Sequence, residues 1–149
     1  MKDVSPSKDQ IRVVGDFAAF SPSELFDFFV KPDLVVQWWP REAIVDPRLG
    51  GTYEFSWPQQ EWHLHGEYTS FEPGKELGFT WSWDHDRTKY EPQQVDITFS
   101  PMEDGGSQMT IVHGPWMDTE SEQTDRQGVV EGWIHFGMRL AGLREGEAE

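Results

Sequence analysis

His63-x-His65-x-Glu67 sets two imidazoles and a carboxylate at alternate positions of one stretch, and alternate residues of a strand share a face. Imidazole and carboxylate together can hold zinc. The interleaved Trp62, Leu64 and Tyr68 claim the other face for the core, so the three polar groups are expected to point to water, with no fourth ligand in view. Asp84-His85-Asp86 flanks a histidine with two carboxylates, an arrangement that tunes acid–base groups, but the charged run from Asp84 to Pro92 reads as a solvated loop. His113 differs. It follows Met109 and Ile111 at alternate spacing, which puts it on an inward face at a strand end, where it either bonds a neighbouring carbonyl or orients a ligand and donates a proton. Tyr53 and Tyr68 are the other inward polar handles. The chain has no cysteine, no Gly-x-Ser-x-Gly, no phosphate loop and no dinucleotide fingerprint. We therefore expect no catalytic residue, no metal site and no cofactor.

Those residues are positioned by a readable series of elements. Ile11 to Phe20 reads as a first strand. Ser21-Pro22-Ser23-Glu24 is a capping box with proline at the first helical position, and Leu25, Phe26, Phe29 and Val30 give the short helix after it an apolar face. Pro32 opens a second short helix through Leu34, Val35 and Trp38, broken at Pro40. Strands follow: Ala43 to Val45, Thr52 to Trp57, Trp62 to Phe71, Leu77 to Trp83, a strand marked by Val95, Ile97 and Phe99, and a last one carrying Met109, Ile111 and His113. Ser121 to Leu143 is a long helix whose Val129, Trp133, Phe136, Leu140 and Leu143 recur at helical spacing, with Val130, Ile134, Gly137 and Ala141 widening the stripe. Its glycines, Gly128, Gly132, Gly137 and Gly142, each cost about 1 kcal/mol against alanine in a helix interior. Either a sheet approaches that backbone closely, or space is kept beside Trp133 for a bound molecule.

Strands joined by short turns pair antiparallel, and their one-sided apolar faces need a cover that only the last helix is long enough to supply. The expected class is α+β, a curved antiparallel sheet of about six or seven strands gripping the C-terminal helix. The expected organisation is a polar arm over 1–9, one domain over 10–144 and an acidic tail over 145–149. Lys plus Arg number 12 against 27 Asp plus Glu, a formal net charge of −15, which repels phosphate backbones and anionic lipid and speaks against nucleic acid as a partner. No signal-peptide core and no apolar run of membrane-spanning length occurs, so no membrane insertion and a cytoplasmic setting are expected. Oligomeric state is not legible.

The ordered set Lys31-Pro32-Asp33-Leu34 to Trp38-Trp39-Pro40, Asp46-Pro47-Arg48-Leu49-Gly50-Gly51-Thr52-Tyr53 and Gly66-Glu67-Tyr68 with Phe71 and Pro73 resembles the activator of heat-shock-protein-90 ATPase homologue-like family. Leu77-Gly78-Phe79-Thr80-Trp81, the strand end from Met109 to Gly114, and Gly132-Trp133 with Leu140 continue the resemblance across nearly the whole chain from Ile11 to Leu143. It implies membership of the START-like, birch-pollen-allergen-like (SRPBCC) superfamily, with a helix-grip fold and a cavity that in various relatives holds lipids, sterols, polyketides or antibiotics. Some such relatives are cyclases or hydrolases. The namesake stimulates a chaperone ATPase and carries a further N-terminal domain, which this chain is not expected to share.

The leading functional expectation is non-enzymatic binding of a small hydrophobic or aromatic molecule between sheet and helix. Trp39, Tyr53, Phe55, Trp57, Tyr68, Phe79, Trp81, Trp83 and Trp133 are the expected walls, with His113 near the polar end. One alternative is a co-chaperone-like module acting on a chaperone protein. Another is a cyclase or hydrolase using His113 with a tyrosine on a polyketide-like substrate.

Overall fold

The computed structural model describes residues 1–84 and 92–144. Eight strands form one antiparallel sheet: β1 (Lys2–Asp3), β2 (Ile11–Phe17), β3 (Glu42–Val45), β4 (Thr52–Trp57), β5 (Trp62–Glu72), β6 (Glu76–Trp83), β7 (Gln93–Pro101) and β8 (Ser107–Gly114). Their spatial order is β1-β2-β8-β7-β6-β5-β4-β3, so the chain's first strands pair with its last and the rest follow as a meander. The sheet is helix-grip in type, as expected, with more strands than the six or seven read from the sequence. The additional one is β1, where Lys2 pairs with Val14 and Asp3 with Val13. Two residues are too short to show a period, so that strand leaves no trace in the pattern.

Alternation builds the strands. In β2 the buried positions are Ile11, Val13 and Phe17; in β7 Gln93, Val95, Ile97 and Phe99; in β8 Ser107, Met109, Ile111 and His113. Between β2 and β3, α1 (Pro22–Val30) starts on the expected capping box: Ser21 Oγ accepts from the Glu24 amide, and the Glu24 carboxylate accepts from the Ser21 amide. Lys31 is extended, as a residue before proline must be, and α2 (Pro32–Val35) follows. It ends three residues short of the expected Trp38. That side chain is buried instead in the support under the sheet, its indole N–H donating to the Phe28 carbonyl at 2.8 Å. Pro73 and Gly74, the latter at φ +76°, turn β5 into β6 as a tight turn of that pair requires, with the Lys75 amide donating to the Glu72 carbonyl.

The C-terminal helix, α3 (Glu120–Gly142), is capped by the Thr119 hydroxyl and packs against β2. Its buried stripe is Val130, Trp133, Gly137 and Leu140. All four belong to the expected stripe, Trp133 and Leu140 to its centre and Val130 and Gly137 to its widened side. Val129 and Phe136, placed at the centre by spacing, are only half-buried and edge a cleft. At Gly137 the room is taken by the Met1 side chain rather than by a sheet: a Cβ there would run into the Met1 sulfur. Among the described residues no helix is long and apolar enough to cross a membrane.

Candidate functional site: a tryptophan-walled cleft

The space between sheet and α3 is divided by one side chain. Trp39, delivered by the turn after α2, stands against Phe55 at 5.0 Å, Trp81 at 5.9 Å and Trp133 at 5.2 Å between ring centroids. On its inner side Tyr53, Phe55, Tyr68 and Phe79, with Phe29 and Leu77, leave a void of only about 10 Å³. On its outer side a cleft of about 220 Å³ is lined by Trp39, Trp57, Trp62, Trp81, Trp83, Gly128, Val129, Gly132, Trp133 and Phe136. Of the expected walls, Trp39, Trp57, Trp81, Trp83 and Trp133 meet around this cleft. Tyr53, Phe55, Tyr68 and Phe79 lie beyond Trp39 and close on one another.

Trp62, Gly128, Val129, Gly132 and Phe136 also line the cleft, though none stood among the expected walls. A signal for part of this set was present: Gly128, Gly132 and Phe136 are four apart and share a helix face. The helix glycines divide accordingly. Among the described residues a Cβ at Gly128, Gly132 or Gly142 would meet nothing within 4 Å, and of these three Gly128 and Gly132 line the cleft, where the missing side chain leaves open space rather than admitting a sheet.

His113 lies behind the cleft wall. It is fully buried, its ring centroid 4.6 Å from that of Trp81. The Trp133 indole N–H donates to His113 Nδ1 at 3.1 Å, and Nε2 lies 2.9 Å from Gln93 Oε1. An indole N–H can only donate, so Nδ1 serves as acceptor and Nε2 carries the proton toward Gln93. Gln93 in turn donates to the Pro115 carbonyl, and the Trp116 indole donates to the His113 carbonyl. The chain Trp133–His113–Gln93–Pro115 fixes two walls, Trp133 directly and Trp81 by contact. Trp116, buried against this chain, was not singled out by the sequence because it sits in a loop without period.

The tyrosines face the inner void. Tyr53 Oη donates to the Thr80 carbonyl at 2.5 Å, while Tyr68 Oη is buried without a hydrogen-bond partner. Burial pushes both phenols above their ordinary pKa of 10.0, with Tyr68 adding to the effect on Tyr53 and the Asp46 carboxylate adding to that on Tyr68.

His63, His65 and Glu67 stand on the opposite, outer face of β5. His63 Nδ1 is 3.1 Å from Ser56 Oγ, and His65 Nε2 is 2.7 Å from Asp84 Oδ1. Among the described residues no three His, Asp or Glu side chains converge as metal ligands. His85 and Asp86 of the Asp84-His85-Asp86 grouping lie outside the described residues. A broader polar depression of about 520 Å³ covers this outer face, edged by Glu54, His65, Glu67 and Ser82.

An antiparallel sheet closed on a long C-terminal helix, with an aromatic cleft along their seam, defines a helix-grip protein. Residues 19–145 match the family described as Activator of Hsp90 ATPase homolog 1-like protein, and the chain belongs to that family. Protein MLL2253 from Mesorhizobium loti has the same fold, at TM-score 0.77 and 21% identity over 90% of this chain and 95% of that one. PFC0360w from Plasmodium falciparum, an HSP90 activator, superposes at TM-score 0.73 and 15% identity, covering 91% of this chain and 95% of that one. DynU16, from the dynemicin biosynthetic locus, superposes at TM-score 0.74 and 21% identity, over 93% of this chain and 48% of that one. None of the curated proteins matches this chain.

Proposed function

We propose that the protein binds one small, largely apolar molecule in the outer cleft, without turning it over. The observation that carries this reading is the pair Gly128 and Gly132, which face open space in a cleft otherwise walled by six indoles, Val129 and Phe136. Two helix-interior glycines cost together about 2 kcal/mol relative to alanine. Among the described residues no neighbouring backbone or side chain uses the room they leave, so the room itself is what they supply. The cleft volume lies between the ~150 Å³ of a cavity that takes benzene and the ~300–1,000 Å³ of sites for drug-sized ligands. A ligand there is held mainly by area burial, at about 25 cal/mol per Å² before the costs of association.

Filling the notch tests this. Gly132→Ala should raise stability by about 0.5–1 kcal/mol, because the helix gains and no clash opposes it. Gly132→Leu should remain folded and lose at least tenfold in affinity for the compact neutral probe 1-adamantanol, followed by tryptophan fluorescence and calorimetry. Undiminished probe binding in folded Gly132→Leu would sink the placement. Trp81→Ala and Trp133→Ala should weaken binding too, but Trp133→Ala also strips His113 of a partner and is the less clean variant.

Family membership favours a second reading, a co-chaperone-like module that stimulates a chaperone ATPase through its outer surface. The cyclase or hydrolase reading needs His113 or a tyrosine to reach a substrate. Hydrogen bonds hold His113 and Tyr53 on the core side of the wall, so the geometry lends this reading no support.

A further inference from the structure

Resting on the cleft-binding reading, we propose that the ligand carries a compact alkylated ammonium group, held as a cation among the indoles. Among the described residues the lining includes no charged side chain, and six of the ten that line it are tryptophan. Leucine or phenylalanine would supply apolar area equally well. Indole supplies in addition the aromatic face that attracts a cation most strongly.

The mutual angles of the rings argue for a compact group over a flat one. A flat ring gripped between two indoles needs parallel walls roughly 7 Å apart, two carbon contacts of about 3.5 Å each. The near-parallel pair, Trp39 and Trp81 at 21°, has centroids only 5.9 Å apart, which leaves no slot between them. Trp57 and Trp83 meet at 45°, Trp39 and Trp57 at 59°, Trp62 and Trp83 at 66°, and Trp81 and Trp83 at 88°. Walls so inclined enclose a compact group from several directions, as in an aromatic cage.

Donor chemistry narrows the class. A primary ammonium brings three N–H donors, and burying them against a lining without carboxylates or carbonyl-bearing side chains would leave them unmet. A fully alkylated ammonium has no N–H to satisfy. The net charge of −15 raises the local concentration of such cations, and Glu61 and Glu131 adjoin the lining residues Trp62 and Gly132 in sequence.

The test is a pair of probes of one shape and different charge: choline, and its carbon isostere 3,3-dimethylbutan-1-ol. Each is titrated against the whole protein by tryptophan fluorescence and calorimetry at ~0.15 M salt, where surface steering is largely screened. Choline should bind about tenfold more tightly than the isostere. Trp83→Leu, or Trp57→Leu should the first variant not fold, should keep isostere binding and bring that ratio close to one. Equal or tighter binding of the isostere overturns the cation inference and leaves the cleft reading standing. So does failure of both probes when 1-adamantanol still binds in a manner sensitive to Gly132→Leu. Failure of all three overturns both.

Discussion

His113 is the residue whose role changes most between chain and fold. Its alternation with Met109 and Ile111 turns it inward, but what lies inward there is Trp133 and Gln93 rather than open space. It therefore acts as a positioning group, setting the indole that closes one side of the cleft. His113→Phe keeps the ring volume but leaves the Trp133 N–H and Gln93 Oε1 without their partner in a buried site. At ~1–3 kcal/mol for each of the two stranded groups, the variant should lose about 2–6 kcal/mol of stability. Urea unfolding checks this; a loss under 1 kcal/mol would mean that the hydrogen-bond chain is not maintained in solution. The two tyrosines tell the same story at smaller cost. Inward polarity was visible in the alternation, whereas Trp39 standing between them and the cleft was not.

At the scale of elements, the start of α1 and the residue just beyond α3 are tied together. Glu24, the third residue after the Ser21 cap, closes the capping box and also accepts from Arg144 at 2.6 Å, while the Arg144 guanidinium lies 4.5 Å from the Phe20 ring centroid and 5.4 Å from that of Phe28. The Arg144 hydrogen bond first, then those from Ser21, lower the Glu24 carboxyl from 4.5 to about 2. A carboxyl depressed in the folded state stabilises the fold above its unfolded value and loses that contribution as pH falls through the folded one. Acidification from pH 4.5 toward 2 should therefore remove the Glu24 contribution, and Arg144→Ala should remove most of that acid-sensitive part in advance. The Glu24 side chain is half-exposed, so solvent screening holds the difference to less than about 1 kcal/mol. Thermal melts of both proteins between pH 2 and 6 provide the comparison; identical acid profiles would remove this link between the helices.

Across the whole molecule, a surface with 27 acidic and 12 basic side chains surrounds an aromatic interior. For the chaperone reading, a surface of one dominant sign implies a basic docking face on the partner and an encounter weakened by salt. Purified protein in excess over an Hsp90-type chaperone should then raise its ATPase rate several-fold at low ionic strength and less at 0.5 M salt, where the Debye length is below about 5 Å. No stimulation at any ionic strength would count against that reading and leave the cleft reading untouched.

The sequence by itself determined the order of elements from β2 onward, the capping box at Ser21, the pairing of successive strands, most of the apolar inward residues and the family, because each rests on local period or on turn and cap chemistry. It also singled out the glycines of the last helix, though not which of them faced packing and which faced space. Tertiary structure alone decided that Trp39 splits the cavity, that Gly137 packs on Met1 while Gly128 and Gly132 open on a cleft, and that His113 stands behind the wall. The physical reason is common to all three. A helix stripe and a strand face specify which side is apolar, but the depth to which a given side chain reaches depends on how α3 seats on the sheet and on side chains far apart in the chain. Those are contacts between elements, and no period along the chain encodes them.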